Sequence, residues 1–437
     1  MSVRAASLLV FLGAVLLGIP WQAAAAGASA VGVGSDAFKD FPVASEVRLG
    51  GDETRTRMVV DFNRKIDMHA FTLANPYRVI VDLPQVSFRF PAATGESGRG
   101  LVKAFRYGLM MTGGSRIVID LTRPARVEQS FLLDAGNDQP ARLVLDLTAV
   151  DRDAFMRTIA LENRVREPAA AVKPQPKSDA HQNDAHLSDA HLSDAHLSDA
   201  RPVIVLDPGH GGIDNGTKAA SGETEKTIVL EFAQLLRDKI EKTGKYHVVM
   251  TRADDTFVAL ADRVAFARAQ QASLFISIHA DALPRGEGDA QGASVYTLSE
   301  TASDSEAARL AETENRADVI AGVDLTSEPN DVADILIDLA QRETKSFSVQ
   351  FARGLITSMR TVTRMHKNSL KSAGFRVLKA PDIPSVLIEL GYVSNRQDIK
   401  SLTSADWREH AADSVAQAID RFFTTKLAGS GRGSGQN

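Results

Sequence analysis

The segment VIVLDPGH, residues 203–210, is the part of the chain that decides the fold. Four aliphatic residues are followed by a polar turn and then by His210, the pattern of a short strand and the loop after it. Two later segments have the same form: LFISIH (274–279) ends on His279, and VLIE (386–389) ends on Glu389. Such runs, separated by helical patterns, are typical of buried parallel strands. We therefore predict an α/β domain with a mostly parallel sheet flanked by helices.

The segments between these runs have the periodicity of helices. Apolar residues recur at helical spacing in 227–241 and 259–270, with a further strand predicted at 246–250 between them. Amphipathic helices are also predicted at 347–359 and 405–422. The β-α-β-α-β order implies right-handed crossovers, with helices on both faces of the sheet.

The residues at the ends of the three runs predict a metal site. Side chains just past the carboxyl ends of parallel strands converge on one crevice, where α/β proteins place their active sites. Two neutral imidazoles, one carboxylate ligand and one spare carboxylate are the components of a catalytic zinc site. His210, His279 and Glu389 supply three of these four groups.

Five segments carry a resemblance to a known family. They are DPGHGG (207–212), TEK (224–226), SIHAD (277–281), APDIPS (380–385) and IELGYVSN (388–395). In this order and spacing they resemble the zinc-dependent N-acetylmuramoyl-L-alanine amidases of bacterial cell division, over about 201–427. The resemblance implies hydrolysis of the amide between N-acetylmuramic acid and L-alanine in peptidoglycan. It also implies one zinc ion per chain held by His210, Glu225 and His279, with Glu389 as the catalytic carboxylate.

The chemistry of these residues agrees with the resemblance. Three protein ligands leave one zinc position for water, and a carboxylate off the metal can take a proton from that water and deliver it to the leaving amine. Other interpretations remain: the histidines could be polar residues of tight turns, and Glu389 could cap a strand. Glu223 and Glu231 lie near Glu225, but Glu225 alone precedes the lysine that the family pattern requires.

Residues 299–345 form a predicted insertion rich in Glu, Asp and Ala. A polar helix is expected at 303–317 and an amphipathic helix at 331–342. The insertion resembles the autoinhibitory segment of the division amidases, in which one glutamate binds the zinc until a LytM-type activator displaces the helix. Matching SDSEAA (303–308) to that family assigns the glutamate to Glu306, with Glu312 and Glu314 close enough to compete. The alternative is that Glu306 only solvates a helix.

Residues 44–150 contain an internal repeat that predicts a small β-sandwich. RMVVDF (57–62) recurs as RIVIDL (116–121), and RVIVDL (78–83) recurs as RLVLDL (142–147). These paired motifs ahead of an amidase resemble the AMIN domain, which binds peptidoglycan and targets the enzyme to the septum. A purely structural domain is the alternative. The four repeated aspartates are better explained as strand-end charges than as metal ligands, and no glycan-binding residue can be selected.

Residues 151–201 are expected to be a flexible linker, and 428–437 a disordered tail. DAHLS repeats begin at residue 184, and one leucine per five residues cannot build a core. The linker carries histidines at 181, 186, 191 and 196. Because residues five apart lie about 140° apart on a helix, they share no helical face, and we favour repeat expansion over metal binding.

The N-terminus predicts export. Residues 1–26 have the pattern of a signal peptide, with Arg4, an uncharged apolar core at 8–19 and an Ala-rich cleavage region at 23–26. The core is shorter than the roughly 20 residues that span a bilayer, so no membrane anchor is expected after cleavage. No arginine pair precedes the core, which favours the general secretory route. Together with a wall-degrading signature, this indicates the periplasm of a Gram-negative bacterium.

Composition excludes several classes of protein. The chain of 437 residues has no cysteine, so it has neither a disulfide framework nor a lipid-anchored N-terminal cysteine. Its net charge is −5, without the basic stripe that nucleic acid would need.

The leading hypothesis is a periplasmic zinc amidase that splits septal peptidoglycan for daughter-cell separation. The alternatives are a zinc hydrolase of another wall amide and a non-catalytic peptidoglycan-binding scaffold.

Overall fold

The computed structural model describes residues 41–110, 113–136, 139–170, 201–282, 291–323 and 335–430. The signal peptide at 1–26, the DAHLS repeats with their histidines and most of the predicted tail lie outside these residues. The side chains of 163–170, 335–341 and 427–430 are likewise outside the description.

The N-terminal part of the structure is an all-β domain, here called the β-domain (residues 41–149), as the sequence predicted. Its strands are β1 Val43–Gly51, β2 Arg55–Phe62, β3 His69–Leu73, β4 Arg78–Pro84, β5 Ser87–Phe88, β6 Val102–Met110, β7 Gly114–Leu121, β8 Ala125–Leu133 and β9 Ala141–Ala149. One sheet has the order β5-β1-β2-β9-β8, and the other contains β6-β7-β4-β3. One core joins their inner faces, for example Val60 with Ile119.

The sequence repeat corresponds to the central strands of the two sheets. The first half of the repeat forms β2 and β4 and the second half forms β7 and β9, yet β2 pairs with β9 and β4 with β7. The two halves are therefore interleaved. Each repeated aspartate pairs with an arginine: Asp61 with Arg48, Asp82 with Arg116, Asp120 with Arg106 and Asp146 with Arg57.

The predicted linker begins later than the sequence suggested. Residues Arg152–Ala170 form helix α1, where a flexible segment from 151 was expected. The helix is anchored to the β-domain because Phe155 is buried and its ring packs edge-on against Tyr77, with centroids 5.1 Å apart. Glu162 Oε2 accepts hydrogen bonds from the backbone and hydroxyl of Thr72.

The C-terminal part of the structure, here called the hydrolase domain (residues 201–430), is built on a six-stranded sheet of order β11-β10-β13-β16-β14-β15. Its strands are β10 Val203–Pro208, β11 His247–Met250, β13 Leu274–His279, β14 Ala293–Leu298, β15 Met365–Ala373 and β16 Ser385–Glu389. All neighbouring pairs are parallel except β14 with β16. The mostly parallel sheet is confirmed, and β15 is a strand that the sequence analysis did not predict.

Helices cover both faces of this sheet. They are α2 Glu225–Glu241, α3 Leu260–Ala269, α4 Ser305–Glu314, α5 Ala317–Ile320, α6 Ile335–Met359, α7 Arg396–Leu402 and α8 Ala405–Ser430. Helices α2, α6 and α8 pack on one face of the sheet. Helices α3, α4 and α5 pack on the other face, here called the insertion face. None of the helices in the described ranges has both the length and the hydropathy needed to cross a membrane.

The helices of the insertion differ from the prediction in extent. The polar helix expected at 303–317 is divided into α4 and the short α5. The amphipathic helix expected at 331–342 begins outside the described residues, and its described part is continuous with the helix predicted at 347–359. The two predicted helices form one because no glycine or proline lies between residues 335 and 353 to interrupt them.

The β-domain packs against the hydrolase domain through its second sheet. Strand β12, Thr256–Phe257, pairs in parallel with the end of β6 and extends that sheet. The outer face of the same sheet contributes Phe71, Ile80 and Val118 to the core that includes α4 and α5. The β-domain therefore contacts the insertion directly.

Candidate metal centre

Four buried side chains from four different elements meet at one end of the hydrolase sheet. They are His210 after β10, Glu225 at the start of α2, His279 at the end of β13 and Glu314 at the end of α4. One ligand atom from each lies within 4.8 Å of all the others. The structure thus brings together the three ligands predicted from the sequence and adds one glutamate from the insertion.

The spacing of these atoms fits a tetrahedral metal ion. His210 Nε2 lies 3.1 Å from Glu225 Oε1 and 3.6 Å from Glu314 Oε2. His279 Nδ1 lies 3.3 Å and 3.1 Å from the same two oxygens. Metal–ligand bonds of about 2.0–2.1 Å in a tetrahedron separate neighbouring ligands by roughly 3.3 Å. The four distances are therefore close to four of the six edges of a zinc coordination tetrahedron.

The hydrogen bonding of the group supports the same conclusion. His210 Nε2, His279 Nδ1 and Glu314 Oε1 are buried and make no hydrogen bond of acceptable geometry. Buried polar atoms without a partner are rare in folded proteins and indicate a missing ligand or ion. Two imidazoles and carboxylates are also a donor set that zinc prefers. The residues present fit a zinc ion.

His210 is fixed in orientation by its own loop. Its Nδ1 lies 2.8 Å from Asp214 Oδ2, which leaves Nε2 to face the group. Its backbone has a φ of 59°, in the left-handed region. Gly209 precedes it, where a Cβ atom would lie 2.3 Å from His279 Cε1, so only glycine allows the two imidazoles to approach. Burial lowers the pKa of His210, but Glu225, Asp214 and Glu314 outweigh that effect and raise it well above its usual value.

Glu225 is held as an anion at the centre of the group. Its Oε1 accepts a hydrogen bond from the backbone of Ala280 at 2.9 Å, and its Oε2 accepts one from Thr217 at 2.9 Å. Burial raises the pKa of Glu225, yet the two histidines lower it well below its usual value overall. The nearby acids that the sequence could not exclude point elsewhere: Glu223 is exposed, and Glu231 pairs with Arg408.

Two buried arginines that the sequence analysis did not select hold the loop that carries His210. Arg263 donates to the carbonyls of Pro208 and His210 and pairs with Asp207 at 2.7 Å. Arg252 donates to the carbonyls of Pro208 and Gly209. A charged residue inside a helical or strand pattern gives a weak signal, since most such residues face water. Their role follows from their contacts with the loop.

Glu389 lies beside the four-residue group of His210, Glu225, His279 and Glu314, here called the metal group, but is not part of it. It pairs in register with His279 across β13 and β16, and its side chain is fully buried. Its Oε2 accepts a hydrogen bond from the backbone of Asp281 at 3.0 Å, whereas its Oε1 makes none. Burial, together with Glu225, Asp281 and Glu314, raises the pKa of Glu389 well above its usual value. This is the arrangement expected of a carboxyl group that exchanges protons.

The insertion glutamate in the group is Glu314, which corrects the assignment to Glu306. Glu306 lies at the other end of α4, where Tyr392 Oη donates to its Oε1 at 2.9 Å and Lys371 Nζ lies 2.8 Å away. Eight residues separate the two glutamates, which places them about 80° apart around the helix. Glu312 faces solvent. Burial, reinforced by Glu225 and Asp281 and opposed by the histidines, raises the pKa of Glu314 to about 7.

The chain matches two protein families. Residues 204–421 match the N-acetylmuramoyl-L-alanine amidase family, and residues 46–151 match the AMIN domain. The chain is 33% identical over 393 residues to the N-acetylmuramoyl-L-alanine amidase AmiC of Escherichia coli O6:H1, covering 86% of this chain and 88% of that protein. It is also 33% identical over 392 residues to the AmiC amidase of Neisseria meningitidis serogroup B, covering 88% of this chain and 91% of that protein.

A shorter relative matches about half of the chain. The N-acetylmuramoyl-L-alanine amidase AmiA of Escherichia coli K12 is 37% identical over 222 residues, which cover 51% of this chain and 76% of that protein. The matches to AmiC, in contrast, extend across both domains. The chain belongs to the N-acetylmuramoyl-L-alanine amidase family, with an AMIN domain ahead of its catalytic domain, and it hydrolyses the amide between N-acetylmuramic acid and L-alanine.

Proposed function

We propose that the enzyme is a zinc amidase of septal peptidoglycan and that His210, Glu225 and His279 hold its one zinc ion. The observation that carries this proposal is the near-tetrahedral spacing of the buried ligand atoms, in which the two imidazole nitrogens make no hydrogen bond. When bound, the zinc ion supplies a Lewis acid that polarises the amide carbonyl and lowers the pKa of a water molecule.

Glu389 is proposed as the catalytic carboxylate. As a base it takes a proton from the attacking water, whose oxygen adds to the lactyl carbonyl carbon. The carboxyl group then gives that proton to the nitrogen of L-alanine as the carbon–nitrogen bond breaks. Its unpaired Oε1 is free to carry the proton, and its raised pKa favours the protonated form between the two steps.

Glu314 is proposed as an autoinhibitory ligand. Its carboxylate lies where the fourth ligand of the tetrahedron would be, so it competes with water and substrate for that position. Activity then requires α4 to move away, and a LytM-type activator that binds the insertion (299–345) would supply the energy for this movement. A displaceable helix needs few apolar anchors; in α4 the buried residues besides Glu314 are two alanines and one leucine.

The site of action is proposed to be the periplasm. An export signal at 1–26 and the general secretory route would bring the chain there. The AMIN domain would bind peptidoglycan at the septum, so that hydrolysis separates daughter cells. The N-terminal signal lies outside the described residues, and the sequence supports this part of the proposal.

Metal analysis of two variants tests the ligand assignment. Glu389→Ala should keep stoichiometric zinc while turnover falls by about 10²–10⁴-fold, because the metal cage survives and the proton carrier is lost. His279→Ala should lower the zinc content, since it removes a ligand. Undiminished zinc in His279→Ala, or near-normal turnover in zinc-loaded Glu389→Ala, would contradict the assignment.

Mass analysis of digested muropeptides tests the reaction in the wall. Free peptide stems with unsubstituted glycan are expected from the activated enzyme. Cut stems would instead support a hydrolase of another wall amide. The absence of any product from the activated enzyme would support a non-catalytic scaffold.

A further inference from the structure

A row of buried polar side chains extends from Glu389 across the insertion face of the hydrolase sheet. Ser294 of β14 pairs in register with Glu389, and Tyr296 pairs with Leu387 on one side and with Lys371 of β15 on the other. Residues two apart on a strand, and residues paired across strands, share a face of the sheet. Glu389, Ser294, Tyr296 and Lys371 therefore form one row, here called the polar row.

The polar row has unused hydrogen-bonding capacity. Glu389 Oε1 is buried and makes no hydrogen bond in the described part of the chain, and the buried hydroxyls of Ser294 and Tyr296 lie close to each other without a hydrogen bond of good geometry. Three such atoms on neighbouring strands are unusual, because folded proteins satisfy nearly all their buried polar groups. The row offers one acceptor and two hydroxyl groups to a ligand that lies along it.

The far end of the row already holds a carboxylate from the insertion. Lys371 is buried, and its Nζ lies 2.8 Å from Glu306 and 3.5 Å from Asp304, both of which belong to the start of α4 or its cap. Tyr392 Oη donates to the same oxygen of Glu306. These two donors, one from β15 and one from the loop after β16, converge on a single carboxylate.

We propose that the polar row is a peptide-binding subsite of the amidase and that Glu306 occupies the place of a substrate carboxylate. The inference rests on the proposed release of α4 from the metal group. When α4 leaves, Lys371 loses both acidic partners, and its ammonium group can form a charge-assisted pair with another anion. The peptide of the substrate is the anion available at this position.

The strand spacing limits how far along the peptide this carboxylate can lie. Glu389 and Lys371 lie on strands separated by one intervening strand, about 10 Å apart across the sheet. An extended peptide advances about 3.3–3.6 Å per residue, so this separation corresponds to roughly three residues and the carboxylate belongs to an acidic residue within about three residues of the cut amide. In the peptide attached to N-acetylmuramic acid, the residue after L-alanine is D-glutamate. Its α-carboxylate meets this requirement.

Binding of the product peptide tests the subsite without any need for turnover. The protein is the full-length zinc-loaded chain carrying Glu306→Ala and Glu314→Ala, which removes the carboxylate nearest to Lys371 and frees α4 from the metal site. Calorimetry compares L-alanyl-D-glutamate with L-alanyl-D-isoglutamine, in which the α-carboxylate is an amide. The acid should bind about tenfold more tightly, the difference expected for one charge-assisted pair.

Three further substitutions in this parent protein test whether Lys371 causes the tighter binding of the acid peptide. Lys371→Met should abolish the preference for the acid peptide over the amide peptide. Lys371→Arg should keep this preference because the positive charge remains. Lys367→Met, which changes an exposed lysine of the same strand, should leave it unchanged. Equal binding of the two peptides to the parent, no binding of either, or a preference that survives in folded Lys371→Met would overturn the proposal.

Hydrolysis of labelled peptidoglycan by the same parent protein separates this proposal from the one on which it rests. A parent that hydrolyses peptidoglycan without an activator, yet binds both peptides equally, refutes the subsite and leaves the proposed function standing. A parent that prefers the acid but remains inactive supports the subsite and refutes autoinhibition by Glu314.

Discussion

The two domains use arginine–aspartate pairs of nearly identical length in different surroundings. In the β-domain Arg57 lies 2.6 Å from Asp146, and the two side chains are 56% and 21% exposed. In the hydrolase domain Arg263 lies 2.7 Å from Asp207, and the two are 2% and 0% exposed. Exposed pairs are screened by water and stabilise little, whereas a buried charge without its partner is strongly unfavourable. Burial therefore decides which pair the fold depends on.

A third kind of pair connects the two domains. Arg116 is bound to Asp82 on its own sheet and also donates to the carbonyl of Gly322 at 2.9 Å. Arg106 is bound to Asp120 and donates to the carbonyl of Ile320 at 3.2 Å. These carbonyls belong to the end of α5 and to the turn after it, in the segment that follows Glu314. The β-domain thus holds the segment next to the proposed autoinhibitory ligand.

The largest effect is expected at the buried pair. Asp207→Asn leaves the Arg263 guanidinium without its anion and should destabilise the protein by about 3–5 kcal/mol. Urea unfolding of the wild type and the variant, both zinc-loaded, measures the difference. Arg57→Met is the matched control and should cost roughly 0–1 kcal/mol. Equal losses in the two variants would mean that burial does not separate the pairs.

Acid should reduce the contribution of the same buried pair. Burial alone would raise the pKa of Asp207, but Arg263, Thr251 and Ser277 hold it below its usual value. A carboxyl group with a depressed pKa stabilises the fold above its unfolded pKa of about 3.9 and loses that contribution as the pH falls through its folded pKa. The stability gap between wild type and Asp207→Asn should stay constant from neutral pH to about 4 and narrow only below it. A gap that closes by pH 6 would contradict this.

A smaller effect is expected at the pair that connects the domains. Arg116→Met removes the donor to Gly322 and should cost about 1.5–3 kcal/mol, the range for hydrogen bonds of charged groups. It should also raise the basal hydrolysis of labelled peptidoglycan, because α5 and the turn after it, which follow α4, are held less firmly. Arg57→Met, which changes an arginine of the other sheet, should leave basal hydrolysis unchanged. A destabilised Arg116→Met with wild-type basal hydrolysis would separate domain packing from inhibition.

The sequence could predict the site residues that lie at the carboxyl ends of strands. His210, His279 and Glu389 each close an apolar run, and parallel strands bring such ends together regardless of the loops between them. Glu225 could be selected only through the resemblance, since Glu223 and Glu231 lie in the same stretch. The α/β sheet and the β-sandwich were predictable for the same reason, because their apolar periodicity is strong.

Features that depend on tertiary packing could not be read from the sequence. Whether Glu306 or Glu314 faces the metal group depends on how α4 is rotated against the sheet, and both glutamates lie in the same polar helix. Arg252 and Arg263 resemble surface residues until the loop that they bind is known. Helix α1 has a sparse apolar pattern and is anchored by Phe155, whose partner Tyr77 is distant in sequence.

The most direct test of the account compares three glutamates of α4. Dye release from labelled peptidoglycan is measured without activator for Glu314→Ala, Glu306→Ala and Glu312→Ala, each at zinc occupancy equal to the wild type. We expect Glu314→Ala to raise basal hydrolysis about tenfold or more, since it restores the competent state that the carboxylate blocks. Glu306→Ala should have a smaller effect and Glu312→Ala none. A silent Glu314→Ala beside a strongly activated Glu306→Ala would contradict the assignment of the inhibitory ligand.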